Sequence, residues 1–207
     1  MEDLWLTWAK RLQGIASTGI HFSRDQYDKE RYTEVASIAH QMLATLASVP
    51  VSRIQGLVSE FAKGYATPKV DVRGALFSDD KILLVKEASD GCWSLPGGFA
   101  DIGKSASENI EKEILEEATL KVKAKALYGI RHKAKHDYDP DARDFYKLFF
   151  LCERMDAADP MPGLETSQVN FFGRDELPLL SKGRTVEADI VAAFAFKEDP
   201  GALALFD

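Results

Sequence analysis

The chain of 207 residues is 45% hydrophobic and 29% charged, a balance typical of a folded globular protein that excludes a disordered or membrane-spanning chain. Its formal net charge of −7 argues against a surface that coats nucleic acid, although a local basic site for a phosphate is compatible with it. The chain opens Met-Glu-Asp-Leu, which predicts no signal peptide. Cys92 and Cys152 lack metal-ligand spacing, so we expect reduced thiols in a cytoplasmic protein with no membrane and no stable nucleic-acid partner.

Apolar residues recur at helical spacing in the N-terminal third of the chain. Residues 4–17 predict a first helix, which Gly19 ends. A long second helix begins at about Asp25, and Pro50 opens a third that ends near Phe61. We therefore predict an N-terminal helical domain.

This N-terminal helical domain, residues 1–65, has more apolar surface than so small a bundle can hide internally. Its Trp5 and Trp8 form a pair of a kind that is more often core than ligand contact. Identical chains cover such a surface most often by forming a two-fold dimer, and docking on the rest of the same chain is the competing arrangement. We predict a homodimer in which these helices form much of the interface.

The pattern changes to strands beyond residues 64–68, which predicts a domain boundary there. Apolar runs of strand length and one closing helix follow, at residues 69–76, 81–86, 122–130, 144–153 and 184–196. With a further helix between the second and third of these strands, the order predicts an α/β fold. We expect an α/β/α sandwich with a mixed sheet over residues 66–207.

Residues 96–119 combine a glycine turn with a helix that carries clustered carboxylates. Gly97 and Gly98 follow a short apolar strand, which indicates positive φ or a close approach of the backbone to another group. Ser105 or Ser107 can cap the helix that follows. Three acids, at i, i+3 and i+4, share one face of that helix: Glu113, Glu116 and Glu117.

A helix face rich in glutamate is usually only solvated, and that is the alternative interpretation. The adjacent glycines favour a metal site, because oxygen ligands at this spacing suit Mg²⁺ or Mn²⁺. Such cations keep several waters and share their coordination shell with phosphate oxygens. The stretch therefore predicts a substrate that contains phosphate.

This stretch resembles the Nudix box, whose pattern is Gly, five residues, Glu, seven residues, then Arg-Glu-apolar-any-Glu-Glu-any-Gly-apolar. Gly98 matches the first position, and the three acids of the helix match theirs. Lys104, Lys112 and Thr119 stand where the box has Glu, Arg and Gly. Lys112 keeps the charge of an arginine but not its planar fork. Because Thr119 is a poor left-handed residue, we expect the helix to end otherwise than with the usual glycine cap.

Segments outside the box are similar to one Nudix subgroup, at residues 66–77, 146–152 and 171–178. That subgroup carries an extra N-terminal helical domain and hydrolyses nucleoside diphosphates linked to another moiety, CDP-choline and ADP-ribose among them. The resemblance implies a metal-dependent pyrophosphohydrolase that releases a nucleoside monophosphate and a phosphorylated product. The alternative, favoured by Lys104 and Lys112, is a catalytically weak Nudix-like domain that binds such a ligand as a sensor.

The resemblance also implies roles for individual residues. Glu113 and Glu117 are expected to bind the cation directly. Glu116 is expected to bind it or to support the other ligands, and the Gly97 carbonyl is expected to be a further ligand. Lys112 is expected to orient or screen the acids.

In the family a general base often comes from a later loop, which points to Glu165, and a solvent-facing loop acid is the alternative there. His136 and Lys147 lie in a stretch rich in cations and aromatic residues and are candidate substrate contacts, although a charge-rich surface loop has the same composition. Arg73 is a stronger candidate for phosphate binding. A lone arginine within an apolar strand needs an anion or a carboxylate nearby.

Overall fold

The structure is a computed structural model that describes residues 3–59 and 65–207. Within these ranges the chain groups into two compact units. The first takes in the described residues up to Lys69, with Ala134–His136 and Pro140–Phe145. The second comprises Val70–Lys133, Asp137–Asp139 and Tyr146–Asp207. The domain boundary between residues 65 and 66 stays a prediction, and Gly64 in the proposed boundary segment lies outside the described residues.

Three helices build most of the first unit: α1 (Leu4–Phe22), α2 (Gln26–Ala47) and α3 (Val51–Ser59). The predicted start of the second helix is confirmed, because Asp25 is the N-cap of α2 and its carboxylate accepts the Tyr27 N–H at 2.8 Å. Pro50 precedes α3 as expected. The predicted end of that helix at Phe61 lies outside the described residues.

The prediction that Gly19 ends the first helix is wrong, since α1 continues to Phe22. A Cβ atom at Gly19 would fall against the ring of Tyr32 in α2. This glycine therefore serves helix packing, because it lets α1 and α2 approach closely, and it does not break α1.

The core of the helical unit is small, and an apolar face of α1 stays exposed. Its buried core cluster consists of two alanines and two larger side chains: Ala9, Leu43, Ala44 and Ile54. The exposed face carries large side chains, of which Trp5 is 59% exposed: Leu4, Trp5, Trp8, Leu12 and Ile15. Exposed apolar surface of this extent usually marks a partner.

The second unit is organised on a seven-stranded sheet. Its strands are β1 (Lys69–Ser78), β2 (Lys81–Glu87), β3 (Trp93–Ser94), β4 (Val122–His132), β5 (Phe145–Arg154), β6 (Thr166–Gly173) and β7 (Leu205–Phe206). The strand order is β3-β2-β1-β5-β4-β7, and β6 pairs with β2. Strand β7 runs parallel to β4 while β2 pairs antiparallel with β1, β3 and β6, so the sheet is mixed as predicted.

Side-chain alternation along the strands divides the core into two layers. In β2, Leu83 and Val85 pack towards helix α4 (Ala106–Ala118), while Ile82 and Leu84 pack towards helix α5 (Glu187–Glu198). At Gly74 in β1, an added Cβ would lie 2.7 Å from Ile114 of α4, so that helix lies directly on the strand. This layering confirms the predicted α/β/α sandwich.

Two strands were not predicted, and the closing helix begins later than expected. Strand β6 has the sequence TSQVNFFG, whose polar start hides the alternation, yet it pairs with β2 over most of its length. Strand β7 is only two residues long. Helix α5 begins at Glu187 instead of Arg184. Arg184 belongs to a preceding turn, in which its N–H donates to the Ser181 carbonyl.

Among the described residues, no single helix is long and apolar enough to cross a membrane. Helix α2 and residues 51–57 together would be long and apolar enough, but a bend of 111° separates them.

Candidate active site

The three predicted acids of helix α4 differ in how much of each side chain is exposed. Ser105 is the N-cap of this helix: the Ser105 hydroxyl accepts the Glu108 N–H at 3.2 Å, and the Glu108 carboxylate accepts the Ser105 N–H at 2.7 Å. From this fixed start, Glu117 is only 6% exposed, while the side chains of Glu113 and Glu116 are 14% and 56% exposed. The acids therefore do not form the uniformly solvated face of the alternative interpretation.

Helix α4 ends without a glycine cap, as expected, but Thr119 itself takes the left-handed conformation for which it was judged poorly suited. Thr119 adopts φ 56° and ψ 21°, and its N–H donates to the Leu115 carbonyl at 3.1 Å. The Thr119 hydroxyl donates to the Ala118 carbonyl at 2.8 Å and accepts the Met161 N–H at 3.2 Å. These bonds offset the strain that a β-branched residue meets in this conformation.

The two glycines after β3 are required by close approaches, as the sequence predicted. Gly97 has φ +142°, and an added Cβ there would clash with the Val72 carbonyl oxygen. Its N–H donates to the Glu117 carboxylate at 2.9 Å. A Cβ at Gly98 would lie 2.8 Å from Oε2 of Glu113. Both carboxylates of the inner helix face are thus packed against the turn.

The backbone of this turn leaves one carbonyl available. The Pro96 and Gly98 carbonyls accept the N–H groups of Gly74 and Val72 at 2.9 and 2.8 Å, which ties the turn to β1. No hydrogen bond to the Gly97 carbonyl is formed by any residue in the described ranges. A carbonyl without a protein donor, in the turn against which two carboxylates pack, is compatible with the additional oxygen ligand that the box resemblance implies.

Burial makes the inner acids unusual. It raises the pKa of Glu117 to about 8, against the opposing charge of Arg73 and the hydrogen bond from Gly97. Burial also raises the pKa of Glu113. Carboxylates that the protein desolvates in this way become favourably ionised when a cation lies between them.

Lys112 lies between three acids on the outer side of the helix. Its ammonium is 3.1 Å from Asp101, 3.0 Å from Glu116 and 3.7 Å from Glu113. Hydrogen bonds to Glu116 and Asp101 raise the pKa of Lys112, so it stays charged. The lysine therefore contacts two of the predicted acids, while its role in orienting or screening them stays a prediction.

Arg73 and Lys147 share one buried carboxylate, that of Asp71. The Arg73 guanidinium donates to it at 2.7 and 3.2 Å and also to the Leu95 carbonyl at 3.1 Å. The Lys147 ammonium donates to it at 2.8 Å. All three side chains are almost completely buried. The carboxylate that a lone strand arginine needs is therefore supplied by Asp71, which the alternation of β1 could have identified two residues away.

The charges of this buried triad (Asp71, Arg73 and Lys147) depend on one another. Burial opposes ionisation of Asp71, but the two cations hold its pKa below the usual value. Burial lowers the pKa of Lys147 to about 8 despite the attraction of Asp71. The positive charge of Arg73 in turn acts on Glu117. The charges of the buried triad therefore affect the ionisation of the helix acid Glu117.

A further buried acid, Glu87, was missed by the sequence analysis. Its carboxylate accepts the Ser94 hydroxyl at 2.7 Å and lies 3.2 Å from Nε of Arg184. Its charge also raises the pKa of Glu117. Alternation could have revealed it, since Glu87 follows Leu83 and Val85 at intervals of two on the β2 face towards α4.

Glu165 lies in a loop that is fixed to the end of α4. The Gly163 N–H and the Thr166 hydroxyl both donate to the Glu117 carbonyl, at 3.1 and 2.7 Å. The Glu165 carbonyl accepts the Ala88 N–H at 3.1 Å, and its side chain is exposed. The loop is thus close to the helix backbone, while the role of the Glu165 carboxylate stays a prediction.

His136 belongs to the first compact unit, directly after a short 3₁₀ turn (Lys133–Lys135). The acids of α4, the glycine turn, Arg73 and Lys147 all belong to the second. The role of His136 as a substrate contact stays a prediction.

The residues of the second unit fit a hard divalent cation. No three acidic, histidine or cysteine side chains in the described part of the chain make a complete metal site by themselves. Two desolvated carboxylates and an available carbonyl nevertheless form a partial set of hard oxygen donors. Mg²⁺ commonly takes only one or two carboxylates from a protein and completes its shell with water and substrate phosphate.

Comparison with known proteins identifies the family. Residues 67–194 match the NUDIX domain, and residues 3–58 match a UDP-X-like, N-terminal oligomerisation domain. The chain belongs to the Nudix hydrolase family.

Some relatives match this chain over its whole length and others over about two thirds of it. A Bacillus subtilis (strain 168) protein, YjhB, named as a candidate ADP-ribose pyrophosphatase, is 39% identical over 100% of this chain and 99% of its own length. The crystal structure of an ADP-ribose pyrophosphatase from Streptococcus suis is 38% identical, with a TM-score of 0.62, over 68% of this chain and 100% of that one. A UDP-X diphosphatase structure is 29% identical, with a TM-score of 0.63, over 98% of each chain.

Proposed function

We propose that this Nudix hydrolase is a divalent-metal-dependent pyrophosphohydrolase that cleaves a nucleoside diphosphate joined to a second moiety, of the CDP-choline or ADP-ribose type. The products are a nucleoside monophosphate and the phosphorylated second moiety. The observation that carries the proposal is the packing of the buried Glu117 and the largely buried Glu113 against the Gly97–Gly98 turn. The names of the two ADP-ribose pyrophosphatase relatives and of the UDP-X diphosphatase support the substrate class.

In this proposal Glu113, Glu117 and the Gly97 carbonyl hold Mg²⁺ or Mn²⁺, and Glu116 binds it or supports the other ligands. A divalent cation, when bound, supplies positive charge to the pyrophosphate oxygens and acidifies the attacking water. Lys112 limits the repulsion among the helix acids, which it contacts at 3.0 and 3.7 Å.

Other residues act on the substrate phosphates or move a proton. Glu165 accepts the proton of the attacking water. It lies in a loop that is hydrogen-bonded to the Glu117 backbone. Arg73 and Lys147, both buried against Asp71, act on the phosphates through their positive charge from within the core and not by direct contact.

A ligand-binding sensor is the second candidate function. Lys104 and Lys112 at two positions of the Nudix box favour it, because neither restores the residue that the pattern requires. Retention of all three helix acids favours the enzyme.

The substrate class is tested with a panel of CDP-choline, ADP-ribose, CDP-glucose, diadenosine polyphosphates and nucleoside triphosphates, each with Mg²⁺ and with Mn²⁺. We expect at least one nucleoside diphosphate-linked compound to be hydrolysed faster than any triphosphate, at a rate that chelation abolishes. A preference for triphosphates would contradict the substrate class. Ligand binding without metal-dependent turnover would establish the sensor.

We also propose a homodimer held largely by the N-terminal helices, in a protein of the cytoplasm. Support for the dimer comes from the exposed apolar face of α1, where Trp5 and Trp8 pack edge to face with ring centroids 5.2 Å apart. The description of the matched N-terminal domain as an oligomerisation domain agrees with it. A two-fold axis would let the same face cover itself.

Trp5→Glu should convert the dimer to a monomer, because it places a charge within the proposed apolar interface. Light scattering during size exclusion should give about 46 kDa for the wild type, twice the chain mass of 23.0 kDa, and the chain mass for the variant. Leu203→Glu is the control, since Leu203 is also a large apolar residue, is even more exposed than Trp5, and lies near the end of the chain. A wild type of 23.0 kDa would refute the dimer.

A further inference from the structure

Asp101 makes contacts that the helix acids do not explain. Its carboxylate lies 3.1 Å from the Lys112 ammonium and 3.4 Å from the Lys104 ammonium. Lys104 and Lys112 are two of the three departures from the Nudix box, and both converge on this one acid. The acid that the box places at position 104 is therefore absent, while another carboxylate lies three residues earlier in the same loop.

The backbone of Asp101 is fixed by a buried side chain. Asn109 of α4 has no solvent exposure, and its Oδ1 accepts the Asp101 N–H at 2.8 Å. Its amide donates to the carbonyls of Asp101, Lys104 and Ser105 at 3.4, 3.4 and 3.1 Å. A loop held to its helix at both backbone groups of one residue presents that side chain in a defined place.

From these contacts we infer that Asp101 is a positioning residue that acts through Lys112 on the cation-binding acids. Lysine is a flexible chain that ends in three donors, so its ammonium is not oriented by its own geometry. Asp101 on one side and Glu116 on the other hold the Lys112 ammonium 3.7 Å from Glu113. Without Asp101 the ammonium closes on Glu113 and competes with the cation for its carboxylate. The inference rests on the proposed cation site.

The test measures Mn²⁺ binding to the full-length protein, from the electron paramagnetic resonance signal of free Mn²⁺. Asp101→Asn should weaken binding about three- to fivefold, the effect expected for one partly exposed charge pair. In a Lys112→Met background the same Asp101→Asn change should alter binding by less than about 1.5-fold, because the residue through which it acts is gone.

Equal effects of Asp101→Asn in the two backgrounds would overturn the inference, since Asp101 would then act on the cation by its own charge. No effect in the wild-type background would also overturn it. Asp101→Glu should restore most of the affinity. Lys104→Met is the matched control: it removes the other partner of Asp101, has no contact with Glu113 or Glu116 in the described structure, and should leave binding within about twofold.

Failure of the inference and failure of the proposed function are distinguishable. If the wild type binds Mn²⁺ but hydrolyses no compound of the panel, the proposed function fails, and the two-background comparison still decides the role of Asp101. If the wild type does not bind Mn²⁺ at millimolar concentration, both are wrong.

Discussion

Glu117→Gln is expected to keep the fold and to lower kcat by about a hundredfold or more, because a metal contributes several kcal/mol of charge stabilisation and each 1.4 kcal/mol is a factor of ten. The amide is nearly isosteric with the carboxylate, and its oxygen can still accept the Gly97 N–H. Burial already raises the pKa of Glu117 to about 8, so a neutral side chain costs little stability there. The loss is therefore one of charge for the cation.

The matched control is Glu116→Gln on the same helix. Glu116 is more than half exposed and contacts Lys112, so its change should lower activity less than that of Glu117. Both variants are compared by steady-state kinetics at saturating metal and by thermal unfolding. Turnover of Glu117→Gln within a few-fold of the wild type would show that the cation site has been assigned to the wrong residues.

Asp71→Asn should destabilise the protein strongly, by about 3–5 kcal/mol, because it leaves the buried cations Arg73 and Lys147 without their shared partner. Replacing a buried charge partner costs more than the pair contributes, since the remaining charges cannot be solvated. Denaturant unfolding monitored by fluorescence measures the loss. Adding Lys147→Met should recover part of the stability, because it removes one of the two stranded cations.

Asp80→Asn is the control for this series. Asp80 forms the same type of pair, 3.1 Å from Lys197, but its side chain is fully exposed, so the same substitution should have little effect. An equally small effect at Asp71 would mean that the buried cations do not depend on its charge.

The sequence predicted those parts of the fold and site that depend on local periodicity. Helical spacing placed Glu113, Glu116 and Glu117 on one helix, and the paired glycines indicated the close approach that the turn makes. Alternation found β1 and β2, whose residues divide between the two layers of the sandwich. These features depend on residues close together in the chain.

Features that depend on distant partners were missed or misjudged. From the sequence, Gly19 resembles a helix stop, but in the structure it makes room for the ring of Tyr32. Thr119 resembles a poor cap, but its hydroxyl accepts a hydrogen bond from the Met161 N–H of a distant loop. Asp101 carries no signal of its own, because its importance comes from Lys112 eleven residues later. Polar strand β6 is stabilised by pairing with β2 and not by its own pattern.

The central claim is most directly tested by the fate of the pyrophosphate, followed by ³¹P NMR with each nucleoside diphosphate-linked compound of the panel, of which at least one should be cleaved. With Mg²⁺ or Mn²⁺, the two pyrophosphate resonances should be replaced by two phosphomonoester resonances and no orthophosphate. The same sample with EDTA, or with Glu117→Gln, should keep the pyrophosphate resonances over the same period. Unchanged pyrophosphate for every compound with wild-type protein and metal, although the ligands bind, would contradict the account.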